Sequence, residues 1–223
     1  MGHFSRALFE FLDQLKANNN REWFAANRSR YIAAVEEPTL RFIDDLRKPL
    51  RARVSRHFIV DPRRVGGSML RIYRDTRFSK DKTPFTPSAR AIFWHEARAG
   101  DQAVPGFYLQ LGPDQCLAGG GIPRPDATSL KRIRDRMVDK PGEWAAVLRA
   151  KIRIEGHALK RPPAGYDPEH RFVEDLKRKK FLWTMTLTAR EVRSTNFLDR
   201  YVDACGRLAP AVAFLTKSLG LGW

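Results

Sequence analysis

A chain of 223 residues with 43% hydrophobic residues, 14 Phe, 5 Trp and 5 Tyr has the apolar material for a substantial core, which excludes disorder as the state of the whole chain. Its 41 Lys plus Arg stand against 25 Asp plus Glu, a net charge of +16 that favours acidic partners such as nucleic acid or phosphorylated ligands. The two cysteines, Cys116 and Cys205, are too few for a disulfide framework, and there is no apolar run of the ~18 residues a membrane span needs. These features point to a reducing cytoplasm, with no membrane partner.

The charge is spread almost evenly: +4 over residues 1–60, +5 over 61–100, +3 over 101–160 and +4 over 161–223. A basic arm built for nucleic acid would concentrate it, yet the longest basic run is Lys177-Arg178-Lys179-Lys180. Arg outnumbers Lys 29 to 12, which suits forked bonds to phosphate and equally suits codon bias in a high-GC genome.

The first 55 residues read as a helical layer. Ser5 is placed to cap a helix whose apolar stripe is Leu8, Phe11, Leu12 and Leu15. Asn18-Asn19-Asn20 ends it and caps a second helix carrying Trp23, Phe24 and Tyr31, with a break expected at Pro38 before a third with Ile43, Leu46 and Leu50. Over 69–121 the period changes to that of a sheet. Residues 69–74 alternate Leu70 and Ile72 against Arg71 and Tyr73, residues 90–95 form a further strand candidate, and Gly112-Pro113-Asp114 turns a hairpin between Phe107–Leu111 and Gln115–Ala118. Helices return over 126–154, capped near Asp126 and reopened at Pro141, the second of them carrying Trp144, Val147, Leu148 and Ile152. A Pro- and Gly-rich loop over 156–171 leads to a short helix from Asp167-Pro168 through Leu176, and a strand spans Phe181 to Leu187. Thr188 with Glu191 forms a capping box before a C-terminal helix over 189–220, broken or kinked near Pro210. The expectation is one α+β domain over 1–223, an antiparallel sheet packed by N-terminal and C-terminal helices.

The densest polar cluster follows the 69–74 strand: Arg71, Arg74, Asp75, Arg77, Ser79, Lys80, Asp81, Lys82 and Thr83. Arg and Lys among hydroxyls suit phosphate or carboxylate oxygens, with Asp75 or Asp81 as the candidate base, while the same aspartates equally suit a structural ion-pair network. Gly119, Gly120 and Gly121 permit either close approach of a ligand to the backbone or tight packing by a large side chain. His3, His57, His95, His157 and His170 lack metal-ligand spacing, so no metal is expected; nucleotide-loop motifs and common nucleophile signatures are absent, so no cofactor is expected either. His95 beside Glu96 would make an acid–base pair if both faced a pocket, and the aromatic set Trp23, Phe24 and Tyr31 fits a core or base stacking.

Asn18-Asn19-Asn20-Arg21-Glu22-Trp23-Phe24, Arg77-Phe78-Ser79-Lys80-Asp81-Lys82-Thr83-Pro84, Pro105-Gly106-Phe107-Tyr108, Gly119-Gly120-Gly121 and Leu159-Lys160-Arg161-Pro162-Pro163 with Gly165-Tyr166 together resemble the domain of unknown function 2461 family over nearly the whole chain. Where that family commonly has Tyr-Lys after the Pro, Phe85-Thr86 stand here. The resemblance implies a single intracellular α+β domain and brings no activity, cofactor or partner. The residues themselves support three functions. One is binding of an anionic, phosphorylated small molecule by Arg74, Arg77, Lys80 and Lys82 with Gly119–Gly121, with phosphate hydrolysis or transfer as the simplest chemistry. The others are a nucleic-acid-binding module and a protein-interaction or structural role.

Overall fold

A computed structural model describes residues 2–77, 79–100 and 102–223; Met1, Asp101 and Phe78 of the Arg77–Pro84 motif lie outside it. The apolar stripe predicted in the first helix is the buried face of α1 (Arg6–Ala17), and the Ser5 hydroxyl accepts the Ala7 N–H. Asn20 caps α2 (Arg21–Ala26), accepting the Trp23 N–H at 2.8 Å. Pro38 does not break the chain as expected. From α3 (Arg28–Tyr31) the helix widens to a π-turn over Ile32–Glu36 and continues as α4 (Glu37–Arg53). The widened turn puts Pro38 in the first turn of α4, where its missing N–H costs nothing.

The sheet contains β1 (Ala89–Trp94), β2 (Gly106–Leu111), β3 (Cys116–Ile122), β4 (Arg153–Glu155) and β5 (Phe181–Leu187), antiparallel throughout in the order β1-β2-β3-β5-β4. The predicted hairpin closes β2 on β3, with Leu111 opposite Cys116. Between β3 and β4, Asp126 caps α5 (Ala127–Asp139) and Pro141 opens α6 (Pro141–Arg149). The second helix therefore ends before Ile152, where the sequence had carried it. Lys151, at φ 51°, turns the chain, and 153–155 become an edge strand. The helix expected from Asp167 forms only as α7 (Val173–Leu176). The Thr188–Glu191 capping box opens α8 (Ala189–Val192), and α9 (Phe197–Ser218) runs unbroken through Pro210.

Helix α9 lies across β3 and bundles against α4, α5 and α6. Phe93 on β1 and Phe42 on α4 meet Tyr201 on α9, and Trp144, Trp183 and Phe214 form a second aromatic cluster. These rings are almost fully buried. Burying each side chain is worth roughly 1.5–3 kcal/mol, so this face of the sheet dominates stability.

Candidate functional site

The segment read as a strand over 69–74 is extended but forms an interrupted ladder. Leu70 N–H donates to Arg90 O and Ile92 N–H to Ser68 O, then Arg74 N–H donates to Pro84 O and Thr86 N–H to Ile72 O. Pro84 and Pro87 carry no N–H and cannot complete the ladder. The result is a ribbon off the outer edge of β1, its burial following the predicted alternation: Ile72 is buried while Arg71 and Tyr73 are exposed. Residues 75–83, with most of the basic cluster, form its tip.

The ribbon is tied to the turn between α1 and α2. Asn19 donates from Nδ2 to Phe85 O at 3.0 Å and accepts the Phe85 N–H on Oδ1 at 3.1 Å. Its amide thus imitates a neighbouring strand. Beside it Phe24 stacks on Phe85 with ring centroids 4.2 Å apart. Two separate sequence motifs, Asn18–Phe24 and Arg77–Pro84, are thereby brought face to face.

Much of the tip's charge is spent internally. Arg74 pairs with Asp81, donates to Thr83 Oγ1 at 2.8 Å and reaches Ser79 Oγ at 3.4 Å. Arg77 grips both oxygens of Asp75, at 3.0 and 2.7 Å. Lys82 Nζ donates to Thr76 O at 3.0 Å. Asp75 and Asp81, the residues considered as bases, are correspondingly poor ones. Bonds from Arg77 hold the Asp75 carboxyl down to about 2, and the Thr83 N–H with Arg74 hold Asp81 down to about 2. A carboxylate so acidic accepts a proton only from a strong acid, so neither suits base catalysis near neutral pH. Arg71 and Lys80 are exposed on the ribbon.

Between the α1–α2 turn and the ribbon lies an open cleft of about 640 Å³, bordered by Asn20, Arg21, Tyr73, Arg74, Thr76 and Lys82 with no carboxylate among its lining residues. The Arg21 side chain makes no hydrogen bond or ion pair with any described residue. Arg21 was legible only as one letter of a motif; nothing in its local pattern separates it from other exposed arginines. Lys80, Arg71, Ser79 and Arg77 do not border this cleft.

Gly119, Gly120 and Gly121 are two strands away from the ribbon, on β3, and do not join it. Two of them sit where a side chain would collide with neighbouring atoms. A Cβ on Gly120 would sit 2.8 Å from Val212 Cγ2, so the glycine lets α9 close onto the sheet. Gly121 has φ 142°, and a Cβ there would lie 2.0 Å from Phe181 O. All three are buried. His95 and Glu96 do not pair either. His95 Nδ1 accepts the Ala97 N–H and Nε2 lies 2.8 Å from Gly222 O, while Glu96 bonds His57 Nδ1 at 2.6 Å. Among the described residues there is no metal-ligand cluster and no helix long and apolar enough to cross a membrane.

Neither a curated protein nor a solved structure matches the chain. A family model described as "Conserved hypothetical protein (DUF2461)" matches residues 7–214, and the chain belongs to that family.

Proposed function

We propose that the cleft between the α1–α2 turn and the 72–86 ribbon binds an anionic small molecule through a phosphate or similar oxyanion. The observation that supports this is the convergence of Arg21, Arg74 and Lys82 on one cavity lined without a carboxylate. Its volume lies within the ~300–1,000 Å³ of small-molecule sites. Arg74 arrives already oriented by Asp81 and Thr83, so little side-chain entropy remains to be lost on binding, and Lys82 has ammonium donors beyond the one given to Thr76. The anion site is therefore narrower than the sequence cluster: Arg77 is engaged by Asp75, and Lys80 and the glycines do not border the cleft.

Titration with inorganic pyrophosphate tests the reading. A charge-assisted hydrogen bond is worth about 1.5–3 kcal/mol, so Arg21→Ala should weaken binding roughly tenfold or more with no loss of fold, and Lys80→Ala should not change it. Equal affinity in wild type and Arg21→Ala would remove the cleft as the site. If pyrophosphate does not bind and a duplex or single-stranded oligonucleotide does, with affinity falling steeply in salt, the basic surface serves nucleic acid instead.

A further inference from the structure

Tyr73 borders the cleft on one side and a second cavity on the other. This one is narrower, about 220 Å³, and is walled by Phe24, Tyr31, Ile32 and Met69. It is smaller than the ~300 Å³ at which whole-ligand sites begin, a size that suits one part of a molecule. The shared Tyr73 makes the anion cleft the adjoining space.

The walls describe that part. The Phe24 ring lies 5.3 Å from Tyr31 and 6.2 Å from Tyr73, centroid to centroid, so the three rings pack into one aromatic wall of the cavity. Tyr73 is 50% exposed, so part of its ring is open to a neighbouring group. Tyr31 is 7% exposed, yet its hydroxyl makes no hydrogen bond with any described residue. Burial raises its pKa, so the phenol stays neutral and keeps its proton to donate. The hydroxyl is not among the buried unpaired polar atoms, so it reaches solvent and is open to donate to an occupant. On the rim, Glu36 is paired with Arg64 at 2.9 Å, leaving Arg28 and Arg71 as the rim's excess positive charge. A sugar ring, with hydroxyls on every side, would bring more polar groups than these walls satisfy. A flat heteroaromatic ring needs faces to stack on and one or two edge partners, which is what the cavity provides.

Resting on the reading of the cleft as an anion site, we propose that the ligand is a nucleoside phosphate, its base in the Phe24–Tyr31–Tyr73 cavity and its phosphates against Arg21, Arg74 and Lys82. Tyr73 stands at the junction of the two halves.

Calorimetric titration of the full chain with inorganic pyrophosphate and with the nucleoside diphosphates of the common bases separates the two readings. Stacking of a base on an aromatic side chain is worth roughly five- to hundredfold in affinity, so at least one diphosphate should bind that much more tightly than pyrophosphate. Tyr73→Leu, which retains apolar bulk against Phe85, should abolish the variant's preference for that diphosphate over pyrophosphate. Tyr31→Phe should reduce discrimination among bases, and Arg21→Glu should weaken all of these ligands together. If pyrophosphate binds and no nucleoside diphosphate binds more tightly, the base subsite is wrong while the anion cleft stands. If neither binds, both fall. Tighter binding of a single-stranded oligonucleotide than of any mononucleotide would overturn the small-molecule assignment in favour of a nucleic-acid strand.

Discussion

Replacing Asn19 with Ala severs a side-chain strap of two backbone bonds between the α1–α2 turn and the ribbon. Both bonds, at 3.0 and 3.1 Å, are partly buried. Each is worth about 0.5–1.5 kcal/mol net, and the Phe85 N–H and C=O would be left without protein partners, so Asn19→Ala should cost about 1–3 kcal/mol. In a chain of this size 1 kcal/mol moves the melting temperature by about 2–4 °C, giving an expected drop of roughly 2–12 °C. Denaturant unfolding measures the global part, and amide hydrogen exchange at Phe85 measures the local part. The Phe24–Phe85 stack survives the substitution, so the ribbon should loosen before the core does. Asn20→Ala is the control, since it removes one cap bond to Trp23 and leaves the ribbon alone. An unchanged Phe85 exchange rate in Asn19→Ala, or a stability loss below about 0.5 kcal/mol, would refute the strap.

Gly120→Ala places a methyl 2.8 Å from Val212 Cγ2 and 3.3 Å from Leu208 Cβ. Valine in a helix has almost no rotamer freedom with which to retreat, so overpacking should cost about 1–3 kcal/mol. Combining it with Val212→Ala should recover part of that loss, and strict additivity of the two in urea unfolding would count against the contact. The carboxyl of Asp81 titrates lower in the folded chain than its ordinary value near 4, because the Thr83 N–H and Arg74 favour the ionised form. Its contribution is therefore present above about pH 4 and lost as pH falls toward 2, and melting temperatures at pH 6 and pH 3 should converge in Asp81→Asn relative to wild type.

The helices were readable because each carried its period and its caps together: Leu8, Phe11, Leu12 and Leu15 behind Ser5, and Thr188 with Glu191 ahead of α8. Pro38 misled because its local cost is real in a regular helix, and the π-turn before it, which the local pattern does not announce, removes that cost. β4 was invisible for a similar reason. Three residues, mostly exposed or half-buried, carry too little pattern to outweigh the helical run before them, and pairing with β5 decides their state. The glycines showed that backbone freedom was needed but not for what, since the same absence of a side chain serves a ligand or close packing; at Gly120 the neighbour is α9 and at Gly121 it is the Phe181 carbonyl of β5. At the site, the cluster over 71–83 was evident as charge, whereas its division into cations turned inward and cations facing a cleft depends on a ribbon whose partner lies about 65 residues earlier, at Asn19.

That division bears on what the charges do. Exposed ion pairs contribute about 0–1 kcal/mol each, so Arg74–Asp81 and Arg77–Asp75 do little to hold the ribbon, which is fixed by backbone bonds to Pro84 and Ile72 and by Asn19. What Asp81 and Thr83 supply is direction: they hold one edge of the Arg74 guanidinium while it borders the cleft. Phe85 fits the same arrangement. At 1% exposure, stacked on Phe24, it contributes a ring to the core and its backbone to Asn19, so the hydroxyl of the Tyr common at this position is not needed to build the cleft. Asp81→Asn should therefore cost the fold near neutral pH only the small contribution of an exposed carboxylate and should alter anion affinity, because Asp81 both pairs with Arg74 and accepts the Thr83 N–H beside the cleft.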